Sequence, residues 1–243
     1  MPSPSLWLID LGLLPYSDAL ELQRAVARAR IAGTVPEDVL LLVEHPPVVT
    51  LGRSARGSHL VASRELLAAR GVELFEVERG GDVTFHGPGQ LVGYPVIDLK
   101  RHRQDLHWYL RQVEEGLIQG LAPFGLAGGR ATGYTGVWVD HDEGVKGSGR
   151  KLASIGVHAR DWVTWHGFAL NVETDLSYFD LIVPCGIQGV TMTSVRRELG
   201  DRAPAFYEVR DEVARGLAVV FGLEPVTVGA VELREMVGAT AGV

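Results

Sequence analysis

The 243-residue sequence has little cysteine, no excess of positive charge and no long apolar run. Cys185 is its one cysteine. A disulfide framework within the chain needs at least two, so none is expected, and a lone thiol fits a reducing compartment. The eight histidines contain no His-Glu-x-x-His and meet no second thiol, so no metal site is expected. The formal net charge of −7 argues against a nucleic-acid surface. No apolar run approaches the ~20 residues of a membrane-spanning helix. The start, Met1-Pro2-Ser3-Pro4-Ser5-Leu6-Trp7, lacks the basic residues and long apolar core of a secretory leader. The expectation is a cytoplasmic chain with no nucleic-acid or membrane partner. Internal repeats and low-complexity linkers are also missing. Residues 1–222 therefore read as a single domain, and 223–243 as a tail of weak periodicity.

What is present supports a packed core, with 46% hydrophobic residues. Leu6–Ile9 reads as a short strand. Ser17 or Asp18 is placed to cap a first helix, with Asp18 and Glu21 at capping-box spacing, and Gly33 ends it. Val39–Val43 is an unbroken apolar run, as in a strand buried on both faces. Ser63 caps a short helix ended by Gly71, and Val72–Val77 is a strand. Asp105 caps a long helix to Phe124, with Leu106, Leu110, Val113, Leu117 and Leu121 as its buried stripe. Strands follow at Gly136–Val139, Leu152–Val157 and Val163–Val172, then helices at Thr193–Leu199 and Ala205–Phe221. Strands come in runs of two or three between single helices. That predicts an α+β fold with a mixed β-sheet flanked by helices.

Several segments carry chemistry-bearing residues. Pro184-Cys185-Gly186 sets the thiol between two chain breakers after the apolar run Leu181–Val183, which predicts a turn at a strand end. Composition leaves Cys185 open between a small buried hydrophobe and a reactive thiol. Arg79–Gln90 leads into Leu91–Leu99, and five residues from Arg79 to Pro95 are glycine. That stretch fits a hairpin with a Gly-Pro turn, or a backbone built for close approach to a ligand. His45, His86 and His166 each adjoin Gly or Pro, so each reads as a turn histidine with a local hydrogen bond. Lys151 opens an apolar strand, where a lysine ordinarily reaches for solvent. Gly144–Lys151 approaches a phosphate-loop spelling. It has Arg150 and Lys151 where Lys and Ser/Thr are required, and strand-like residues follow, so nucleotide binding there is excluded.

Taken together, Arg79-Gly80-Gly81-x-x-Thr84-x-His86-Gly87-Pro88-Gly89-Gln90, Glu44-His45-Pro46, Gly136-Val137-Trp138, Lys151–Gly156, His166–Asn171 and Pro184-Cys185-Gly186 resemble the octanoyl-[acyl carrier protein]:protein octanoyltransferases, also called lipoate–protein ligase B. The order of these segments and the 34-residue gap from Lys151 to Cys185 are similar too. The resemblance implies the fold shared by biotin and lipoate protein ligases. It implies octanoyl transfer from octanoyl-acyl carrier protein to one lysine of a lipoyl domain, as in 2-oxoacid dehydrogenases and the glycine cleavage H protein, without ATP or metal. It makes Cys185 the acyl-thioester nucleophile and Lys151 the residue that lowers its pKa and serves as base. It places the acyl group against Arg79, Gly80, Gly81, Asp82, Val83, Thr84, Phe85 and His86, against Ser154, Ile155 and Gly156, and against Gly167, Phe168 and Ala169. The longer polar loop from His141 to Arg150 departs from the family pattern. An ATP-dependent lipoate or biotin ligase on the same fold is the rival reading, and the chain lacks the Gly-Arg-Gly-Arg-x-Gly-Arg type loop of biotin ligases. Carriers and lipoyl domains are typically acidic, so Lys146, Arg150 and Lys151, with Lys100, Arg101 and Arg103, are expected to form a basic docking rim.

Overall fold

The computed structural model describes residues 4–142 and 148–239. In chain order the elements are β1 (Ser5–Leu13), α1 (Tyr16–Ala32), β2 (Asp38–Glu44), β3 (Val48–Leu51), α2 (Arg64–Ala69), β4 (Glu73–Glu76), β5 (Val83–His86), β6 (Gln90–Val96), α3 (Leu106–Leu121), β7 (Val137–Val139), β8 (Arg150–Arg160), β9 (Val163–Asn171), β10 (Thr191–Met192), α4 (Val195–Leu199), α5 (Phe206–Phe221), β11 (Glu224–Thr227) and α6 (Ala230–Val237). Among the described residues the large sheet runs β10-β8-β9-β6-β2-β1-β11, with β7 also paired to β8, and a small sheet runs β4-β3-β5. Parallel pairs (β1 with β2 and β11, β8 with β10) and antiparallel pairs (β2–β6, β6–β9, β8–β9) coexist, which is the mixed α+β sheet expected.

The strand β2 shows why the apolar run from Val39 to Val43 has no polar alternation. Side chains alternate between sheet faces, and here both faces are covered. Val39, Leu41 and Val43 pack with Leu22 and Val26 of α1. Leu40 and Leu42 pack with Val113 and Leu117 of α3 and Val213 and Leu217 of α5. A third apolar cluster, around Val49, Val83, Phe85 and Phe179, fills the small sheet.

Several local expectations are corrected. The first helix begins at Tyr16 with Pro15 at the N-cap, and neither Ser17 nor Asp18 caps it. Tyr16 is buried, so the core draws the helix start ahead of the polar pair, and Asp18 serves in the first turn, where its charge suits the helix dipole. Asp105 and Ser63 do cap their helices, accepting from His107 and Trp108 and from Leu66. Leu106, however, is 39% exposed, and Leu110 is only partly buried. The stripe is carried instead by Tyr109, Val113, Leu117 and Leu121.

The Gly-Pro segment joins no hairpin. Strand β5 pairs with β3 in the small sheet and β6 with β2 and β9 in the large one, so Gly87-Pro88-Gly89 carries the chain from one sheet to the other. The run Leu181–Val183 is not a strand either. Leu181 ends a 3-10 segment and Ile182 makes a single bridge to Leu60. The weakly periodic stretch after Gly222 adds β11 beside β1 and packs α6 near α1.

Candidate active site

Two strands of the large sheet and the loop entering β5 build a cavity of about 630 Å³ between the sheets. From the long strand β8 come Lys151, Ser154, Ile155 and Gly156, and from β9 come His166, Gly167, Phe168 and Ala169. The glycine loop contributes Arg79, Gly80, Gly81 and Asp82, and β5 contributes Thr84 and His86. The turn Pro184–Gly186 brings Cys185 to the same cavity. Val83 and Phe85 do not line it. Strand alternation turns Thr84 and His86 toward the cavity and sends Val83 and Phe85 into the small sheet's core.

At one end of this cavity, the Lys151 Nζ lies 3.4 Å from the Cys185 Sγ and donates to the Thr135 carbonyl at 3.1 Å. It sits 5.1 Å from the centre of the Trp138 ring, an additional cation–π attraction. The Ser154 Oγ is 3.6 Å from the same sulfur. Lys151 is 2% exposed, so it does not reach for solvent as a strand-opening lysine ordinarily does. The contact puts an amine and a thiol within hydrogen-bond reach of each other.

Cys185 has φ 56°, in the left-handed region that non-glycine residues seldom occupy. The turn is held from outside. Val183 N donates to the His59 carbonyl at 2.7 Å, and His59 Nδ1 bonds Asp82 Oδ2 at 2.8 Å. A Cβ on Gly186, itself at φ +67°, would lie 2.6 Å from that Asp82 oxygen. Strain of this kind persists only where surrounding contacts impose it.

The other end of the cavity is lined by Tyr16, His86, Tyr94 and His166. His86 ends β5 and His166 stands inside β9, so the turn reading of those two is corrected, whereas His45 lies in the short connection between β2 and β3. His45 donates from Nδ1 to the Leu14 carbonyl and accepts from the Tyr94 hydroxyl, each at 2.7 Å. His86 donates from Nδ1 to Gln90 Oε1 at 2.8 Å. Burial pushes the His45 imidazole down to about 4 and His86 down to about 3, and it lowers His166 as well. Burial drives the Tyr16 phenol up to about 12. This end is therefore lined by polar groups held neutral. Arg79 is the exception, 7% exposed, with its guanidinium on the Thr50 carbonyl at 2.7 Å, the Thr50 hydroxyl at 2.9 Å and the Gly80 carbonyl at 3.1 Å.

Reading the sequence missed Tyr16, Tyr94, Leu106, Leu110, Tyr134, Thr135, Ile187 and Gln188 as cavity residues. Thr135 meets Lys151 through its backbone carbonyl, which no side-chain pattern reveals. Leu106 and Leu110 were legible only as helix stripe.

Among the described residues, each cation expected in the basic rim is ion-paired or buried. Arg150 is paired with Asp140 and Glu198, Lys100 with Asp98, Arg101 with Glu37 and Arg103 with Asp105, while Lys151 is buried. Lys146 and the rest of the near-phosphate-loop from Gly144 to Gly147 lie outside the described residues. Arg150 opens β8, a strand rather than the helix a phosphate loop requires. Among the described residues no group of three or more His, Cys, Asp or Glu side chains could hold a metal ion, and no helix is long and apolar enough to cross a membrane.

The chain is similar to known proteins in fold and in sequence. A bipartite lipoate protein ligase from Thermoplasma acidophilum superposes with a TM-score of 0.74 at 17% identity, over 96% of this chain and 90% of that one, a likeness of fold. The chain is 52% identical to an octanoyltransferase of Rubrobacter xylanophilus, over 87% of this chain and 91% of that protein. It is 48% identical to an octanoyltransferase of Myxococcus xanthus, over 89% of this chain but only 59% of the Myxococcus protein's length. Residues 15–218 match the lipoyl protein ligase A/B catalytic domain family. With the Lys151–Cys185 pair in that matched region, the chain belongs to the octanoyltransferases, a family of enzymes.

Proposed function

We propose that this enzyme moves an octanoyl group from octanoyl-acyl carrier protein to one lysine of a lipoyl domain, through a thioester on Cys185. The observation that carries this reading is the 3.4 Å contact between Lys151 Nζ and Cys185 Sγ in a cavity lined by Ile155, Phe168 and Ala169. The donor is already a thioester, so a thiolate takes the acyl group at little cost in free energy, and no ATP is required.

The atoms balance with Lys151 as proton carrier. The Cys185 thiolate attacks the donor carbonyl, the bond from acyl carbon to carrier sulfur breaks, and the leaving sulfur takes a proton from the Lys151 ammonium. Lys151 is then a neutral amine. The acceptor lysine attacks the Cys185 thioester, gives its proton to Lys151, and Cys185 leaves as thiolate. Two encounters replace one, and each proton transfer has a partner within reach. The acyl chain lies between the glycine loop Arg79–Asp82 and the β8 and β9 positions Ser154–Gly156 and Gly167–Ala169, with Thr84 and His86 beside it. The neutral His86 positions the site and is not its main base. The lipoyl domains of 2-oxoacid dehydrogenases and the glycine cleavage H protein are the acceptors.

Incubation with octanoyl-carrier protein alone, without ATP, should add one octanoyl mass to the intact protein, labile to hydroxylamine. Cys185→Ala should form no adduct and Cys185→Ser almost none. An adduct that persists in Cys185→Ala, or one that forms only with ATP and free octanoate, would overturn the reading.

A further inference from the structure

Glu114 is a carboxylate on the buried face of α3 with 0% exposure. Burying a carboxylate is costly, and two cations account for half of it: its Oε2 accepts from Arg111 at 2.6 Å and from Arg130 at 3.1 Å. The other oxygen has a different use. Oε1 accepts from the backbone N–H of Gly136 at 3.0 Å. That N–H belongs to the same peptide group as the Thr135 carbonyl, which accepts from Lys151 Nζ at 3.1 Å. A peptide group is planar and stiff, so its N–H and C=O point in opposite directions and turn together. Glu114 holds one end of this unit and Lys151 the other.

We propose that Glu114 is a positioning residue for Lys151, acting through the Thr135–Gly136 peptide: its carboxylate fixes the N–H, and the carbonyl on the other side of the same plane holds the ammonium 3.4 Å from Cys185. A negative acceptor on the N–H also polarises the carbonyl toward the lysine, since hydrogen bonds in a chain strengthen one another. Gly136 supplies an independent observation. It sits at φ +126°, and a Cβ there would lie 2.4 Å from the Ala153 carbonyl and 3.0 Å from Lys151 Cε. The residue is thus shaped to let this peptide pack directly against the lysine. The inference rests on the Lys151–Cys185 reading given above.

A double-mutant cycle on iodoacetamide alkylation of Cys185 tests it and needs no acyl substrate. Glu114→Asp keeps a charge for Arg111 and Arg130 but withdraws the carboxylate by one methylene from Gly136. It should slow alkylation by about 10-fold. In a Lys151→Ala background the same change should alter the rate by less than about 2-fold, because the residue it acts through is gone. No slowing in the first background, or equal slowing in both, overturns the proposal. If Glu114→Asp does not fold by near-ultraviolet circular dichroism, Glu114→Gln is read in the same cycle against the same outcomes. An unchanged rate in Lys151→Ala by itself overturns the Lys–Cys coupling, and with it this proposal, a result separable from the other two.

Discussion

Lys151 stands in a long strand of the large sheet, bracketed in register by Trp138 of β7 and Met192 of β10, and is 2% exposed. Cys185 stands 34 residues later on a three-residue turn, half-buried, with a left-handed backbone. One partner is fixed by sheet hydrogen bonds and core packing. The other is fixed by a few contacts from His59 and Asp82 that impose an uncommon conformation. The difference suits the roles proposed for them. A proton carrier must meet two different leaving or attacking groups at one point in space, so rigidity serves it. A nucleophile must accept, carry and release an acyl chain, and a half-buried turn gives access that a central strand denies.

Removing the rigid partner should have the largest effect. Lys151→Ala should lower turnover by about 10²–10⁴-fold and slow alkylation of Cys185 in parallel. Lys151→Arg keeps the cation, but a guanidinium does not give up its proton in proteins. It should retain part of the alkylation rate and lose transfer to the acceptor lysine. If Lys151→Arg turned over like wild type, the proton-carrier role would be wrong. Disturbing the turn should cost less. Gly186→Ala introduces a methyl group where Asp82 Oδ2 lies 2.6 Å away, at φ +67°. Turnover should fall by about 10- to 10²-fold, since a shift of roughly 1 Å at a nucleophile has that consequence, and the melting temperature should fall by a few degrees. Unchanged turnover would show that the turn tolerates displacement and that its strain is incidental.

A different effect concerns the neutral end of the cavity and is read as stability rather than turnover. His45 and His86 titrate near 6.5 when unfolded but near 4 and 3 when folded. Below pH 6.5 the unfolded chain binds protons that the native protein refuses. Stability is therefore full above that pH and falls as the pH drops toward the folded values. At pH 5 the loss is on the order of 2 kcal/mol per histidine, with His166 adding in the same direction. Carboxylates held below their usual range, such as Glu78 and Glu198, begin to contribute only below about pH 4.5. A melting temperature that stays level from pH 7 to pH 5 would contradict burial of neutral imidazoles.

The residues that carry chemistry through side chains were the legible ones. Cys185 between Pro and Gly and Lys151 at the head of an apolar strand both line the cavity, as do Gly80 and Gly81 of the glycine-rich stretch, while Gly87 and Gly89 do not. Val83 and Phe85 were read as part of a contiguous loop, because a motif carries no information about which side of a strand faces a ligand. The hairpin reading of Gly87–Gly89 failed for a related reason: a turn sequence specifies a reversal, not the sheet the chain enters next. Tyr16 and Tyr94 come from an N-terminal helix and a central strand, and only the long-range packing of α1 over β6 and β9 brings them together. Glu114 reads as an ordinary helix residue, and its partner is a backbone group 22 positions away.

The position of β11 has a consequence for how the protein is made. It runs beside β1, with Ser5 opposite Glu224 and Leu8 opposite Thr227. Translation delivers these partners some 220 residues apart, so one flank of β1 waits through most of synthesis while β2 can pair with the other at once. During that interval β1 offers unpaired backbone donors and acceptors beside apolar side chains such as Leu6 and Leu8, the kind of strand edge that recruits other chains. Ribosomes that stall before Glu224 should therefore release aggregation-prone protein, even though every residue of the cavity has already been translated.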